Sequence, residues 1–530
     1  MLRFSLHLFL LLPQVFLIFN ICSAVLYTPP DNILLNCGAS YDTTSSDGRE
    51  WDTDTAYILK ASDTSSAESQ LIPSVDQSPY LLNARIFPSK FTYKIPVSKA
   101  GQKFLRLYFY PANYSNGFDM TKSFFSVHAA DYTLLSNFSA FLNLHHSPSL
   151  VKEYVITVDQ SCLLDLTFTP SPSSYAFVNA IEVISIPDKL YIKGDGDEDS
   201  IKKVGQDARF SIDDSYALEN LYRLNVGGGD ISSTHDSGMF RSWDNDEPYL
   251  LGADTGVIPL LEIPINYTST TPPYTAPEHV YSTGRTMDHE SYSTNMTWTF
   301  PVDSECIYLV RLYFCEYREE ITTFNQLVYD IFINNMTAEQ EVYIFYWTGG
   351  RGIPIYRDYV VLVGYNPYLW LTLQPNKESK PEYNSTILNG LEIFRLSSNG
   401  SLAAPNPEYV PPPPSVTNKS RGTQKNGASD SPLVGACIGE ESLKKFGEVG
   451  YSCLGDQGID RPTMRDVVSS LEVALQLQES QGKLDQDNLY LTKSVADARS
   501  GEASTSSTSS DGFKSGIGSV FSDILNPNAR

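Results

Sequence analysis

Positive charge is what this sequence most lacks. Its 38 Lys and Arg stand against 62 Asp and Glu, a formal net charge of −24. Neutralising a nucleic-acid backbone takes concentrated Lys and Arg, so nucleic acid is excluded as a partner. The balance suits a soluble extracellular surface or a basic partner. Cysteine is scarce as well, with seven in 530 residues. Cys22 falls in the N-terminal apolar segment, and Cys437 and Cys453 follow a proline-rich stretch, leaving Cys37, Cys162, Cys306 and Cys315 in the body. Four cysteines allow three complete pairings. If 306–315 runs as one extended strand, its ends lie about 30 Å apart, beyond disulfide reach. No pairing is assigned. Convincing long helical periodicity is missing before residue 400, and the His145–His146 pair has no Cys or carboxylate at metal-ligand spacing. No metal site and no cofactor are expected.

What is present begins with MLRFSLHLFLLLPQVFLIFNICSA. Arg3 precedes an apolar run from Phe4 to Ile21, and the small residues Cys22, Ser23 and Ala24 follow. Pro13, Gln14 and Asn20 interrupt the run, which marks residues 1–24 as a secretory signal rather than a span. Eight N-x-S/T sequons follow, at Asn113, Asn137, Asn266, Asn295, Asn335, Asn384, Asn399 and Asn418. Together they predict a glycosylated protein of the secretory pathway, displayed outside the cell.

The body of the chain repeats itself. From Pro96 to Phe109 and from Pro301 to Phe314, six of fourteen positions are identical at an offset of 205. REWDTD (49–54) answers RSWDND (241–246), LNCG (35–38) answers LNVG (224–227), and FVNAIEVISI (177–186) answers ILNGLEIFRL (387–396). The order is the same in both copies, which predicts tandem domains at 26–190 and 205–397 joined by a charged, solvated hinge at 191–204. Leu105, Leu107 and Phe109 alternate with Arg106 and Tyr108, and Val310, Leu312 and Phe314 alternate with Arg311 and Tyr313. Period-two alternation puts each aliphatic set on one face of a strand and the Arg/Tyr set on the other. Short runs broken by Pro, Gly, Asn and Ser make each copy a β-sandwich, so the fold class is mainly β.

In this order the motifs LNCG, WDTD, IPV…LRLYF, NAIEV, RLNVGG, MFRSWDND, FPVDS…YLVRLYFCE and LNGLEIF resemble the tandem malectin-like ectodomain of plant FERONIA-like receptor kinases. The resemblance covers about residues 26 to 400 and implies jelly-roll-like sandwiches. It further implies perception of basic secreted peptides of the rapid alkalinisation factor class, a GPI-anchored co-receptor, monitoring of cell-wall carbohydrate, and the plasma membrane as the site of a full-length receptor.

The C-terminal part resembles the end of the same receptors. After a proline-rich stalk (398–432), residues 433–480 contain GIDRPTMRDVV with an amphipathic pattern over 463–478, like the last large helix of a kinase C-lobe. The run SPLVGACIGEESLKKF is too short to span a bilayer, and no V-A-I-K lysine, H-R-D loop or D-F-G occurs. The region reads as a loosely attached kinase remnant without catalytic residues, followed by a disordered tail at 481–530. Trp51 with Asp52 and Trp243 with Asp244 are the candidate ligand residues, since an aromatic platform beside acceptors is sugar-binding chemistry. The alternative is that W-D-x-D builds the same loop and core twice. The loop containing Gly284 and Arg285, turn-forming and polar in composition, is a further candidate as a partner-facing loop, the alternative being an ordinary exposed loop.

Overall fold

The alternating stretches around Arg106 and Arg311 become central strands, Gly101–Phe109 and Ile307–Phe314. Their β-branched and aromatic residues fit a pleated surface. The computed structural model describes residues 26–407 except 59–63, 70–81, 113, 116, 118–121, 145–147, 195–199, 252–263 and 288–294. The signal segment, most of the stalk, the 463–478 helix and the tail lie outside the described residues, as do Asn113, Asn418 and the two adjacent histidines.

Neighbours flank the two central strands in one shared order. In the first half it is Leu150–Val158, Gly101–Phe109, Ala180–Ser185, Asn32–Asn36, Glu50–Thr53. In the second it is Ile355–Leu362, Ile307–Phe314, Gly390–Leu396, Leu218–Asn225, Asp244–Asn245. A second sheet belongs to each half. The first comprises Phe91–Pro96, Leu163–Pro170, Phe125–Ala129 and Tyr132–Phe138; the other comprises Leu250–Leu251, Met296–Pro301, Tyr368–Pro375, Tyr329–Ile333 and Met336–Val342. The aliphatic faces meet between the layers. Leu105, Leu107 and Phe109 join Tyr93, Val127 and Phe168 in one core. Val310, Leu312 and Phe314 join Trp298, Ile331 and Leu371 in another. Each such side chain contributes about 1.5–3 kcal/mol relative to exposure. The architecture is two tandem β-sandwich modules.

The modules share a sheet. Tyr154 pairs with Glu219 and Val155 with Leu218 across the seam, so the inner layers continue as one 13-stranded sheet. A third core straddles that seam, drawing Phe104, Val155 and Tyr191 from one side and Leu218, Leu309 and Phe394 from the other. This corrects the expectation of a solvated hinge at 191–204. Tyr191, Ile192, Ile201 and Val204 are at most 4% exposed, and Ile201–Lys203 pairs in parallel with Ile355–Leu362. Apolar residues bracketing the charged run anchor both of its ends.

The start of the stalk is likewise docked. Ser401 bridges to Thr133, Leu402 enters the first module's core, and the Asn406 side-chain amide donates to the Asn137 carbonyl. The four cysteines of the described body are free thiols.

Candidate functional site at the module seam

The two W-D-x-D motifs divide their residues between inside and outside. Strand alternation turns Trp51 and Trp243 inward, where both are fully buried, and leaves Asp52 and Asp244 exposed. The second aspartate of each motif then turns back into the protein. Asp54 accepts from Arg85 at 2.7 and 2.9 Å, from the Tyr93 hydroxyl at 2.8 Å and from the Gly38 amide at 3.2 Å. Asp246 repeats the arrangement with Arg285 at 2.7 and 2.9 Å, the Trp298 indole at 2.8 Å and the Gly227 amide at 2.9 Å.

The glycines of LNCG and LNVG make this geometry accessible. Gly38 and Gly227 sit at φ +85° and +70°, in the left-handed region that L side chains disfavour. A Cβ on either would lie 2.4 Å from the Ala84 carbonyl or 2.5 Å from the Gly284 carbonyl. Gly284 and Arg285 are therefore buried counterparts of Ala84 and Arg85. This corrects their reading as a partner-facing loop: Arg285 is 6% exposed and bound to Asp246.

Around the tryptophans runs a chain of buried charges that crosses from one module to the other. Glu182 accepts from Arg49 at 2.8 Å, Arg106 at 2.9 Å and the Tyr108 hydroxyl at 2.5 Å. Arg106 also reaches Glu153 at 2.6 Å. Glu153 then accepts from Arg223 of the second module at 2.7 Å, and Arg223 pairs with Glu392 at 2.6 Å. Glu392 also accepts from the Tyr313 hydroxyl at 2.6 Å, the counterpart of the Tyr108 bond. Burial by itself raises the Glu153 carboxyl, but the Arg223 and Arg106 guanidiniums outweigh it and hold it down at about 2.

The tryptophans support this ladder. Arg49 lies 5.5 Å from the Trp51 ring centre and Arg223 lies 5.8 Å from that of Trp243. Tyr108 and Tyr313 meet the same rings edge-on at 5.7 and 5.6 Å. Cations and aromatic edges already occupy them, so in this conformation neither Trp51 nor Trp243 offers a face to a sugar.

Above the ladder is a polar cleft of about 450 Å³, lined by Asp47, Arg49, Ser233, Phe240 and Asp244 among others. Asp244 is the one predicted ligand residue in it; Asp52 stands on the surface without lining this cleft. Phe240 holds φ +55°, unusual for a bulky residue, with Arg49 4.9 Å from its ring centre. Sequence reasoning missed Arg49 and Phe240, although Arg49 stands two residues before Trp51. Among the described residues, no group of three or more His, Cys, Asp and Glu is placed to hold a metal ion.

Duplicated sandwiches, buried W-D-x-D anchors and a shared sheet define a tandem malectin-like architecture. The malectin-like domain family matches residues 35–396, and the chain belongs to that family. It is 42% identical to the receptor-like protein kinase FERONIA of Arabidopsis thaliana over 480 residues, covering 86% of this chain and 52% of FERONIA. To ANXUR2 of the same plant it is 36% identical, over 77% of this chain and 48% of the relative. The chain thus spans about half the length of these curated relatives. Among solved structures, the receptor-like kinase FER superposes with a TM-score of 0.64 at 43% identity, covering 71% of this chain and 99% of the other. FER in complex with the plant peptide RALF23 and LLG2 gives 0.65 at 44% identity, over 72% and 99%.

Proposed function

We propose that this chain is the extracellular ligand-binding region of a FERONIA-like receptor, recognising a secreted peptide together with a membrane-anchored co-receptor and performing no chemistry itself. The supporting observation is its likeness to FER along nearly the whole length of the chain solved with RALF23 and LLG2. A net charge of −24 suits a basic peptide through long-range steering. Of the duplicated carboxylates, Asp54 and Asp246 are buried and paired with arginines, which suits architecture rather than acid–base catalysis. The burial of both rings disfavours the lectin reading through Trp51 and Trp243.

The test is titration of the secreted chain with RALF23, with and without LLG2. Saturable binding below micromolar concentration, strengthened by LLG2 and weakened by salt, is the expected result. Absence of binding under both conditions overturns the reading.

A further inference from the structure

On the outer faces of the second-layer sheets, one group of equivalent positions changes from charged and polar to aromatic between the modules. Thr92 and Thr167 share a hydroxyl hydrogen bond at 2.8 Å, and Thr297 and Thr372 share its counterpart at 3.0 Å, each shifted by 205 residues. Beside the first pair lie Lys94 and Asp165, an exposed ion pair at 3.1 Å, and His128 opposite Thr167. Beside the second pair the same positions hold Thr299, Trp370 and Phe332. Trp370 is 39% exposed and Phe332 is half-buried, while their chain neighbours Leu369, Leu371, Ile331 and Ile333 all point into the core. Two aromatic rings thus occupy a solvent-side face that the first module fills with charge.

A hairpin tip stands next to these rings. Asn334 and Asn335 connect Tyr329–Ile333 to Met336–Val342, with φ +51° and +59°. Two central residues at positive φ are the signature of a tight hairpin turn in which Asn is favoured. Asn334 ties the tip to Trp370 twice: its amide donates to the Trp370 carbonyl at 2.9 Å, and its side-chain oxygen accepts from the Trp370 amide at 2.8 Å. Asn335 is exposed and heads the sequon Asn335-Met336-Thr337, and Thr337 lies directly opposite Phe332. The equivalent tip of the first module, Ala130–Asp131, carries no sequon.

We infer that the first N-acetylglucosamine on Asn335, one of the sequons read from the sequence, lies on Phe332 and Trp370. In the modification, the Asn335 side-chain nitrogen attacks the anomeric carbon of a lipid-diphosphate-linked oligosaccharide. The C–N bond forms, the C–O bond to the diphosphate breaks, and the nitrogen gives up one proton. The apolar C–H face of the sugar then covers aromatic surface that otherwise meets water, while its hydroxyls stay hydrated. The glycan stabilises the second module as well as decorating it.

Peptide mapping of the secreted full chain tests the modification, with a hexosamine-bearing Asn335 peptide expected. Thr337→Val removes the sequon while keeping side-chain shape, and is compared in the native background and in a Phe332→His/Trp370→Asp background, which copies the first module. Loss of the glycan lowers the thermal midpoint by about 2–4 °C in the native background and by less than about 1 °C in the other. On the unsubstituted chain, ring current moves the N-acetyl methyl proton resonance of that sugar upfield. An unmodified Asn335, equal midpoint shifts in both backgrounds, or an unshifted methyl resonance each overturn the inference.

Discussion

Asp244 and Asp246 share a motif and a side chain, yet have opposite physical situations. Asp246 is fully buried with two bonds to Arg285, whereas Asp244 faces solvent at the cleft. Asp246→Ala strands a buried guanidinium and is expected to cost about 3–5 kcal/mol in urea unfolding. Asp244→Ala should change stability by under about 0.5 kcal/mol. Equal effects would contradict the division of roles. Part of this was legible in advance, because alternation alone turns Trp51 inward and Asp52 outward. The inward turn of Asp54 was not, since it depends on Arg85, which is 31 residues away in sequence. Gly284 and Arg285 misled for a related reason: turn-forming, polar composition describes an exposed loop and a buried anchor equally well.

At the scale of strands, the alternation of LRLYF located both sandwich cores. It left open what lies over the Arg/Tyr face, and the structure fills that face with the ladder from Arg49 to Glu392. The ladder carries a definite pH dependence. Glu153 is held at about 2 in the folded protein, against about 4.3 for an unfolded glutamate. A depressed carboxyl contributes stability that is full above the unfolded value and lost as pH falls through the folded one. The seam should therefore keep its strength from neutrality down to about pH 5 and weaken progressively between about pH 4 and 2. Glu153→Gln should flatten that part of the profile in equilibrium unfolding followed against pH; an unchanged profile would remove Glu153 from the account.

On the scale of the whole molecule, one sheet, one seam core and the returning segment at 401–406 bind the modules together. Calorimetry of the chain is expected to give a single main transition for both sandwiches. Leu402→Ala, which empties a position in the first core from beyond the second module, should lower stability by about 2–5 kcal/mol without splitting that transition. Two well-separated transitions in the unsubstituted chain would show that the seam does not couple the halves. Neither the docking of Leu402 nor the burial of Tyr191 was visible in composition. A proline-rich flank and a charged linker read as solvated because local polarity says nothing about which apolar residues find a surface elsewhere.

Periodicity and internal repetition are local properties of a chain, and from them alone follow the β class, the duplication, the paired cores and the family resemblance. Contacts between segments far apart in sequence are a different matter. They decided that the tryptophans are buried against arginines, that Asp246 and Arg285 are buried, and that two modules form one sheet. Burial of a charged or aromatic side chain is set by what covers it, and the covering segments come from remote parts of the chain.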